Sequence, residues 1–148
     1  MPRSLIVSLC LVFSAAPALA GMIAIPAPLP FAELEQRLTA AIEKHQMKLV
    51  TRASASDGAK ARGVTIKGDA VIGVFRNDFA VRMLAANVEA GIEAPVRLHL
   101  VEEPDGTSSI RYLAPSEVFG KYDGDAIKAL GRELDVVFAE IVAEAAGK

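Results

Sequence analysis

The chain has 148 residues, 52% of them hydrophobic, with a formal net charge of −2 and a mean hydropathy of +0.34. This slightly acidic balance excludes a general nucleic-acid binder, which needs a concentrated basic surface. The length predicts one globular domain, and the apolar surplus is concentrated at the N-terminus.

Residues 1–20 have the pattern of a secretory signal peptide. Arg3 supplies a positive charge, Leu5 to Ala16 is mostly apolar and uncharged, and Ala18 and Ala20 are the small residues of a cleavage site. The segment is at or below the roughly 20 apolar residues of a spanning helix, so cleavage after Ala20 is favoured over a membrane anchor. The expected location is the bacterial periplasm or the medium, with no stable membrane span in the mature chain.

The single cysteine, Cys10, lies within this leader. A mature chain over residues 21–148 would have no thiol, which excludes disulfides, cysteine catalysis, covalent haem attachment and thiolate metal sites. Loss of Arg3 would change the formal net charge from −2 to about −3. We expect a single α+β domain over residues 21–148 and no cofactor.

The first half of this domain alternates strand and helix signals. A short strand over Gly21–Ala27 is followed by an amphipathic helix that ends near His45. His45 falls on the apolar stripe, and bonding the terminal carbonyls of the helix is favoured over a ligand or catalytic role. A second strand over Met47–Arg52, a polar connection over Ala53–Gly63 and a brief third strand over Val64–Lys67 follow.

The strand Ala70–Arg76 is apolar on both faces, because Ile72 alternates with Val71 and Phe75. Such a strand is expected in the interior of a sheet, with something covering each face. Gly73 within it predicts a bulge or a close approach of another segment.

Asn77 is expected to cap the next helix, and a β-hairpin follows that helix. A three-residue loop with Gly106 in the left-handed position pairs Glu103 with Thr107. This register places Arg97, His99 and Arg111 on one face and collects apolar side chains on the other. A two-residue loop would mix the two faces, so the first register is preferred.

A short turn over Ser116–Gly120 leads to a long C-terminal helix, capped by Asp123 or Asp125. Gly131 on its apolar stripe indicates close packing against the sheet. The predicted order is βαβββαββα, which is an α+β fold of two layers with a mostly antiparallel sheet and helices on one face.

The region from Ser56 to Phe119 contains a series of short motifs: an Ala-x-x-x-Gly segment, a hydrophobic strand ending in Phe, a short helix, a Pro-x-Arg strand entry, an acidic-Gly turn and a Tyr-x-x-Pro close. In this chain they are Ala59 to Gly63, Val71 to Phe75, Asn77 onward, Ala94 to Arg97, Glu103 to Gly106 and Tyr112 to Pro115. On these motifs the region resembles the domain of unknown function 302 family. The resemblance implies a small α+β domain that forms homodimers, without assigning an activity.

Two departures from the family pattern are visible. The family's Phe-Gly-Asn-Pro reads Phe75-Arg76-Asn77-Asp78 here, and an Asp-His pair before the first segment is replaced by about Ser54-Ala55. If that histidine has a chemical role in relatives, this chain does not use it in the same way.

The sequence offers few candidate catalytic, metal-binding or ligand-binding residues. His45 and His99 are far apart and belong to no metal-binding spacing, so no metal site is predicted. The outer hairpin face carries Arg97, His99 and Arg111, with Arg76 at the end of the preceding strand as a fourth candidate. Cations that face one another across strands repel, so one interpretation of this cluster is a site for a small anionic ligand.

The interpretation favoured for the charges themselves is that Glu102, Asp105 or carboxylates of a second subunit neutralise these cations, because structural ion pairs are common. The favoured hypothesis is a secreted, non-enzymatic homodimer that pairs through the open sheet face and binds a ligand or partner there. A small hydrolase- or isomerase-like enzyme using His99 with Arg97 and Arg111 is the alternative, and it requires His99 to line a pocket beside a carboxylate or hydroxyl. The third hypothesis is a purely structural envelope protein without a ligand.

Overall fold

The structure is a computed structural model that describes residues 21–148, so the expected signal peptide lies outside the described residues. Five strands are formed by Met22–Ala27 (β1), Lys48–Ser54 (β2), Asp69–Phe75 (β3), Val96–Glu102 (β4) and Ser108–Leu113 (β5). Five helices are formed by Phe31–Lys44 (α1), Ala55–Lys60 (α2), Asn77–Ala86 (α3), Pro115–Gly120 (α4) and Asp125–Ala146 (α5), and a 3-10 helix spans Val88–Glu93.

The strands form one antiparallel sheet in the order β1-β5-β4-β3-β2. Helices α1 and α5 pack together over one face of it. The side chains that point to these helices are fully buried, since strand residues alternate between faces. They include Ile72, Leu98, Leu100 and Ile110, each 0% exposed. The predicted α+β class and two-layer arrangement are confirmed.

The predicted hairpin register is also confirmed. His99 pairs with Arg111 and Leu100 with Ile110, and the Glu103 N–H donates to the Thr107 carbonyl at 2.8 Å. Gly106 has a φ of +85°, the left-handed conformation that a three-residue loop needs. The hairpin therefore separates an apolar face from a polar one.

Gly73 shows both features that its position predicts. The ladder between β2 and β3 shifts between Leu49 and Thr51, beside Gly73. A side chain at Gly73 would collide with the Thr51 hydroxyl and with the Pro95 ring. Glycine therefore lets Pro95 pack directly over β3.

The connection between β2 and β3 differs from the prediction. Val64–Lys67 forms no strand, because β2 and β3 pair directly and leave no place between them. Lys67 instead donates to the carbonyls of Glu103 and Pro104 on the hairpin turn, at 2.9 and 3.2 Å. The polar connection before it contains α2, whose N-cap Ser54 accepts from the backbone N–H of Asp57.

The predicted helix caps are wrong. Helix α3 begins at Asn77 itself, and α5 begins at Asp125 after Gly124, neither with a side-chain cap. Gly147 ends α5 in the left-handed conformation, as expected of a helix stop.

Two packing predictions also need correction. Gly131 packs closely, but against α4 and not the sheet, since a Cβ there would lie 2.9 Å from the Ser116 Cα. The His45 imidazole does not bond the carbonyls of its own helix. It contacts two α5 carboxylates, those of Glu140 at 3.5 Å and Glu144 at 3.2 Å.

Candidate functional site

The face of the sheet opposite α1 and α5 carries the polar side chains of the hairpin, and we call it the open face. Along one row across the sheet, Ala24 pairs with Arg111, Arg111 with His99, and His99 with Val71. Opposed residues of antiparallel strands point to the same side, so Arg111 and His99 are direct neighbours. Small residues flank them, which leaves these two as the most prominent side chains of the row.

A cavity of about 540 Å³ lies on this face, within the range of small-molecule sites. Its lining includes Arg97, His99 and Arg111 from the hairpin. Residues of α4 and of the 3-10 helix line it as well. The apolar part of the lining consists mainly of Met22, Val71, Val96, Leu113 and Val118. Three of the four residues singled out from the sequence therefore meet at one cavity.

His99 is held by a carboxylate of the neighbouring strand. Its Nε2 lies 2.8 Å from the Asp69 Oδ2, and both side chains are more than a third exposed. This meets the geometric requirement of the enzyme hypothesis, a histidine in a cavity with a carboxylate in reach. A carboxylate in this position fixes the orientation of the imidazole ring.

Arg111 is held by a carboxylate at the hairpin turn. Its Nη2 donates to the Glu103 Oε1 at 2.6 Å, and the Ser109 hydroxyl donates to the same oxygen at 2.5 Å. Hydrogen bonds from Ser109 and then Arg111 hold the pKa of Glu103 below its ordinary value. Arg111 is therefore already neutralised at neutral pH.

Lys121, which directly follows α4, is the third basic side chain with a partner. Its Nζ lies 2.5 Å from the Glu93 Oε1, and the Tyr122 hydroxyl donates to the same oxygen at 2.8 Å. Burial opposes ionisation of Glu93, but these two hydrogen bonds outweigh burial and lower its pKa. The Glu93 hydrogen bond correspondingly raises the pKa of Lys121.

Arg97 differs from the other three. It is exposed, and within residues 21–148 it has neither an ion pair nor a side-chain hydrogen bond. Glu117 of α4 also lines the cavity. Like Arg97, it is exposed and has no ion pair in the described part of the chain. Arg97 is thus the cation that remains available to a ligand.

Arg76 lies apart from the cavity. Its guanidinium stacks over the Phe79 ring at 4.1 Å and binds Asp78 at 2.7 Å. It borders a separate apolar cavity of about 30 Å³, which is too small for a ligand. The structure does not place Arg76 with Arg97, His99 and Arg111.

Sequence reasoning named the wrong neutralising groups. Glu102 accepts the Gly68 N–H at 2.7 Å and Asp105 accepts the Thr107 N–H at 3.0 Å, so neither faces the cations. The carboxylates of Asp69, Glu103 and Glu93 do so instead. The hairpin register could have identified Glu103, because it lies on the same face of β4 as His99, two positions beyond Val101.

The described part of the chain offers no group of three His, Cys, Asp or Glu side chains arranged to hold a metal ion. None of its helices combines the length and apolar character needed to cross a membrane.

The sheet order, the helix-covered face and the cavity on the open face define a small two-layer α+β domain with one candidate binding site. The family model described as "Domain of unknown function DUF302" matches residues 23–144, and the chain belongs to this family. A solved structure of an uncharacterized conserved DUF302 protein from Bacillus stearothermophilus is similar to it, with a TM-score of 0.77 and 17% sequence identity. The match covers 85% of this chain and 98% of that chain, and at this identity it shows the fold alone. A comparison with curated proteins gives no match.

Proposed function

We propose that this protein is a binding protein for a small anionic ligand, which it holds in the cavity on the open face. The observation that carries the proposal is Arg97, a cation without an ion-pair partner in residues 21–148, in a cavity of about 540 Å³. A guanidinium binds carboxylate and phosphate groups through two parallel hydrogen bonds. His99 and Arg111 border the same cavity and add further donors.

A titration followed by amide NMR tests this proposal, with acetate, phosphate and sulfate as probes. We expect saturable shifts of the amides of residues 96–99 and 111–113 for at least one anion. No saturable shift with any of the three, nor with a larger carboxylate such as octanoate, contradicts the proposal.

We further propose that two copies of the chain pair through the open face. Met22 and Leu113 leave 41% and 44% of their surface exposed on it. A twofold interface through this face would bury the same apolar side chains of both copies. These uncovered apolar side chains support a dimer.

Light scattering at micromolar concentration measures the mass. We expect the dimer mass for the unaltered chain, the monomer mass for Leu113→Glu, and the dimer mass for the control Val136→Glu, which alters an exposed valine of α5 away from this face. A monomer mass for the unaltered chain would refute the dimer.

The second candidate function is a small hydrolase-like enzyme, and the contact between His99 and Asp69 at 2.8 Å favours it. His99 would carry the proton, with Arg97 and Arg111 stabilising negative charge on the substrate. Hydrolysis of p-nitrophenyl acetate and of p-nitrophenyl octanoate tests this candidate function. Turnover above free imidazole that is lost in His99→Gln and retained in Arg62→Gln supports the enzyme, and equal rates for both variants exclude it.

We also propose that the chain is exported and cleaved after Ala20, on the charge, apolar run and small residues of positions 1–20. Intact mass of the protein recovered from the periplasm checks the cleavage position. A chain that still contains Arg3 would contradict it.

A further inference from the structure

The charges around the cavity restrict the ligand more closely than the proposed function does. Three of the four basic groups there are engaged, Arg111 by Glu103, Lys121 by Glu93 and His99 by Asp69, at 2.6, 2.5 and 2.8 Å. The Arg111 and Lys121 pairs contribute little net charge. Arg97 is the one basic group among the described residues at this cavity without a direct ion pair, and the nearby Glu93 carboxylate that it acts on is already bound by Lys121.

The same region holds negative charge that a ligand must tolerate. Glu117 borders the cavity and has no ion pair within the part of the chain that the structure describes. The Asp69 carboxylate lies on the same face, where it contacts His99. A second negative charge on a ligand would meet these carboxylates without a second available cation, and like charges at close range are destabilising. The site consequently favours a monoanion over phosphate, sulfate or a dicarboxylate.

The remaining lining is apolar. Met22 and Leu113 lie opposite each other at one end of the open face, and Val71, Val96 and Val118 complete the lining. Burying an apolar group against these side chains releases it from water and gives affinity that does not depend on charge. A cavity of this volume is much larger than a carboxylate alone requires.

We infer that the ligand is a monocarboxylate with an apolar body, such as a medium-chain fatty acid. Its carboxylate pairs with Arg97 and its chain lies over Leu113, Met22 and Val118. This inference rests on the proposed anion-binding function and names the chemical class of the ligand.

Isothermal titration with octanoate, hexanoate, butanoate and inorganic phosphate tests the inference on the purified protein. We expect affinity to rise about fourfold for each added methylene, because burying a methylene contributes about 0.8 kcal/mol. Phosphate should bind at least about tenfold more weakly than octanoate. Arg97→Gln should weaken octanoate at least about tenfold, the range expected when a charge-assisted hydrogen-bond donor is lost.

Matched variants separate binding from folding. Arg62→Gln removes another exposed arginine, one that does not line the cavity, and should leave octanoate affinity unchanged. Leu113→Asn should flatten the chain-length series, because it removes apolar surface that the ligand chain would contact. Urea unfolding of each variant verifies that the domain is intact, and Arg97→Lys, which keeps the charge, should restore part of the octanoate affinity.

The outcomes distinguish the inference about the ligand class from the proposed anion-binding function on which it rests. Tighter binding of phosphate than of octanoate refutes the monocarboxylate and leaves the anion-binding function in place. Octanoate binding that is insensitive to Arg97→Gln also refutes the inference. If none of the four probes binds, the inference and the proposed function are both refuted.

Discussion

The two faces of the sheet are formed by the same strands but have opposite character. On the helix-covered face, Leu98, Leu100 and Ile110 are 0% exposed and contact α1 and α5 in one continuous core. On the open face, one residue away along the same strands, His99 and Arg111 are half-buried and paired with carboxylates. The comparison shows that the alternation of a strand can supply stability on one side and chemistry on the other.

The largest effect is expected on the helix-covered face. Phe138 of α5 is 0% exposed, and Phe138→Ala should lower the free energy of unfolding by about 3–5 kcal/mol through lost burial and the cavity left behind. The open-face variant Val71→Ala should cost about 1 kcal/mol or less, because Val71 is only half-buried. Urea unfolding measures both, and equal losses would contradict the distinction between the faces.

The contact between α4 and α5 supports one wall of the cavity, since α4 carries Glu117 and is directly followed by Lys121. Gly131→Ala should lower the free energy of unfolding by about 1–2 kcal/mol. The Cβ of the new alanine would lie 2.9 Å from the Cα of Ser116, a backbone atom that cannot move away easily, and this clash outweighs the gain in helix propensity. The same change at Gly58, which has open space around it, should stabilise by about 0.5–1 kcal/mol. Stabilisation by Gly131→Ala as well as by Gly58→Ala would show that packing at Gly131 is unimportant.

The ion pairs of the open face should produce a smaller, pH-dependent effect. The folded-state pKa of Glu103 lies below its ordinary value of 4.5, so Glu103 stabilises the fold above that pH. Its contribution is lost as the pH falls through the folded-state value. Glu103→Gln should cost about 0.5–1 kcal/mol at pH 7, given the partial exposure of the pair, and almost nothing at low pH.

Unfolding of both proteins between pH 7 and pH 3 measures this difference. Glu43→Gln, at an exposed glutamate without an ion pair within residues 21–148, provides the matched control and should show no pH-dependent difference. A cost for Glu103→Gln that does not change with pH would contradict the electrostatic origin.

The smallest effect is expected at the exposed apolar positions of the open face. Met22→Gln should change the free energy of unfolding of the monomer by no more than about 0.5 kcal/mol, because Met22 is 41% exposed. An additional loss that grows with protein concentration is expected if the proposed second copy covers this position, and a loss above 1 kcal/mol that does not depend on concentration would contradict the prediction.

Much of the fold could be predicted from local patterns. The spacing of apolar residues places α1 and α5, and the Gly106 turn sets the hairpin register that separates Leu98 and Leu100 from His99. The pattern of Val64–Lys67 predicts a strand that the structure does not contain. A short run of β-prone residues does not show whether a neighbouring strand is available to pair with it. The helix starts were misassigned for a similar reason, because both α3 and α5 begin without a side-chain cap.

The candidate site was only partly accessible to sequence reasoning. The alternation rule brought Arg97, His99 and Arg111 together, but their partners come from other parts of the chain. Asp69 lies 30 residues before His99. Arg76 was included because it ends a neighbouring strand, yet its side chain turns to Phe79 and away from the open face.

The sequence by itself determined the α+β class, the hairpin register and the face that carries the cations, because these depend on periodicity and turn chemistry within short segments. Only the tertiary structure decided that α4 and the 3-10 helix turn the edge of that face into a cavity. It also decided which cations are neutralised. Those outcomes depend on contacts such as Glu93 with Lys121 between residues distant in sequence, which no local pattern encodes.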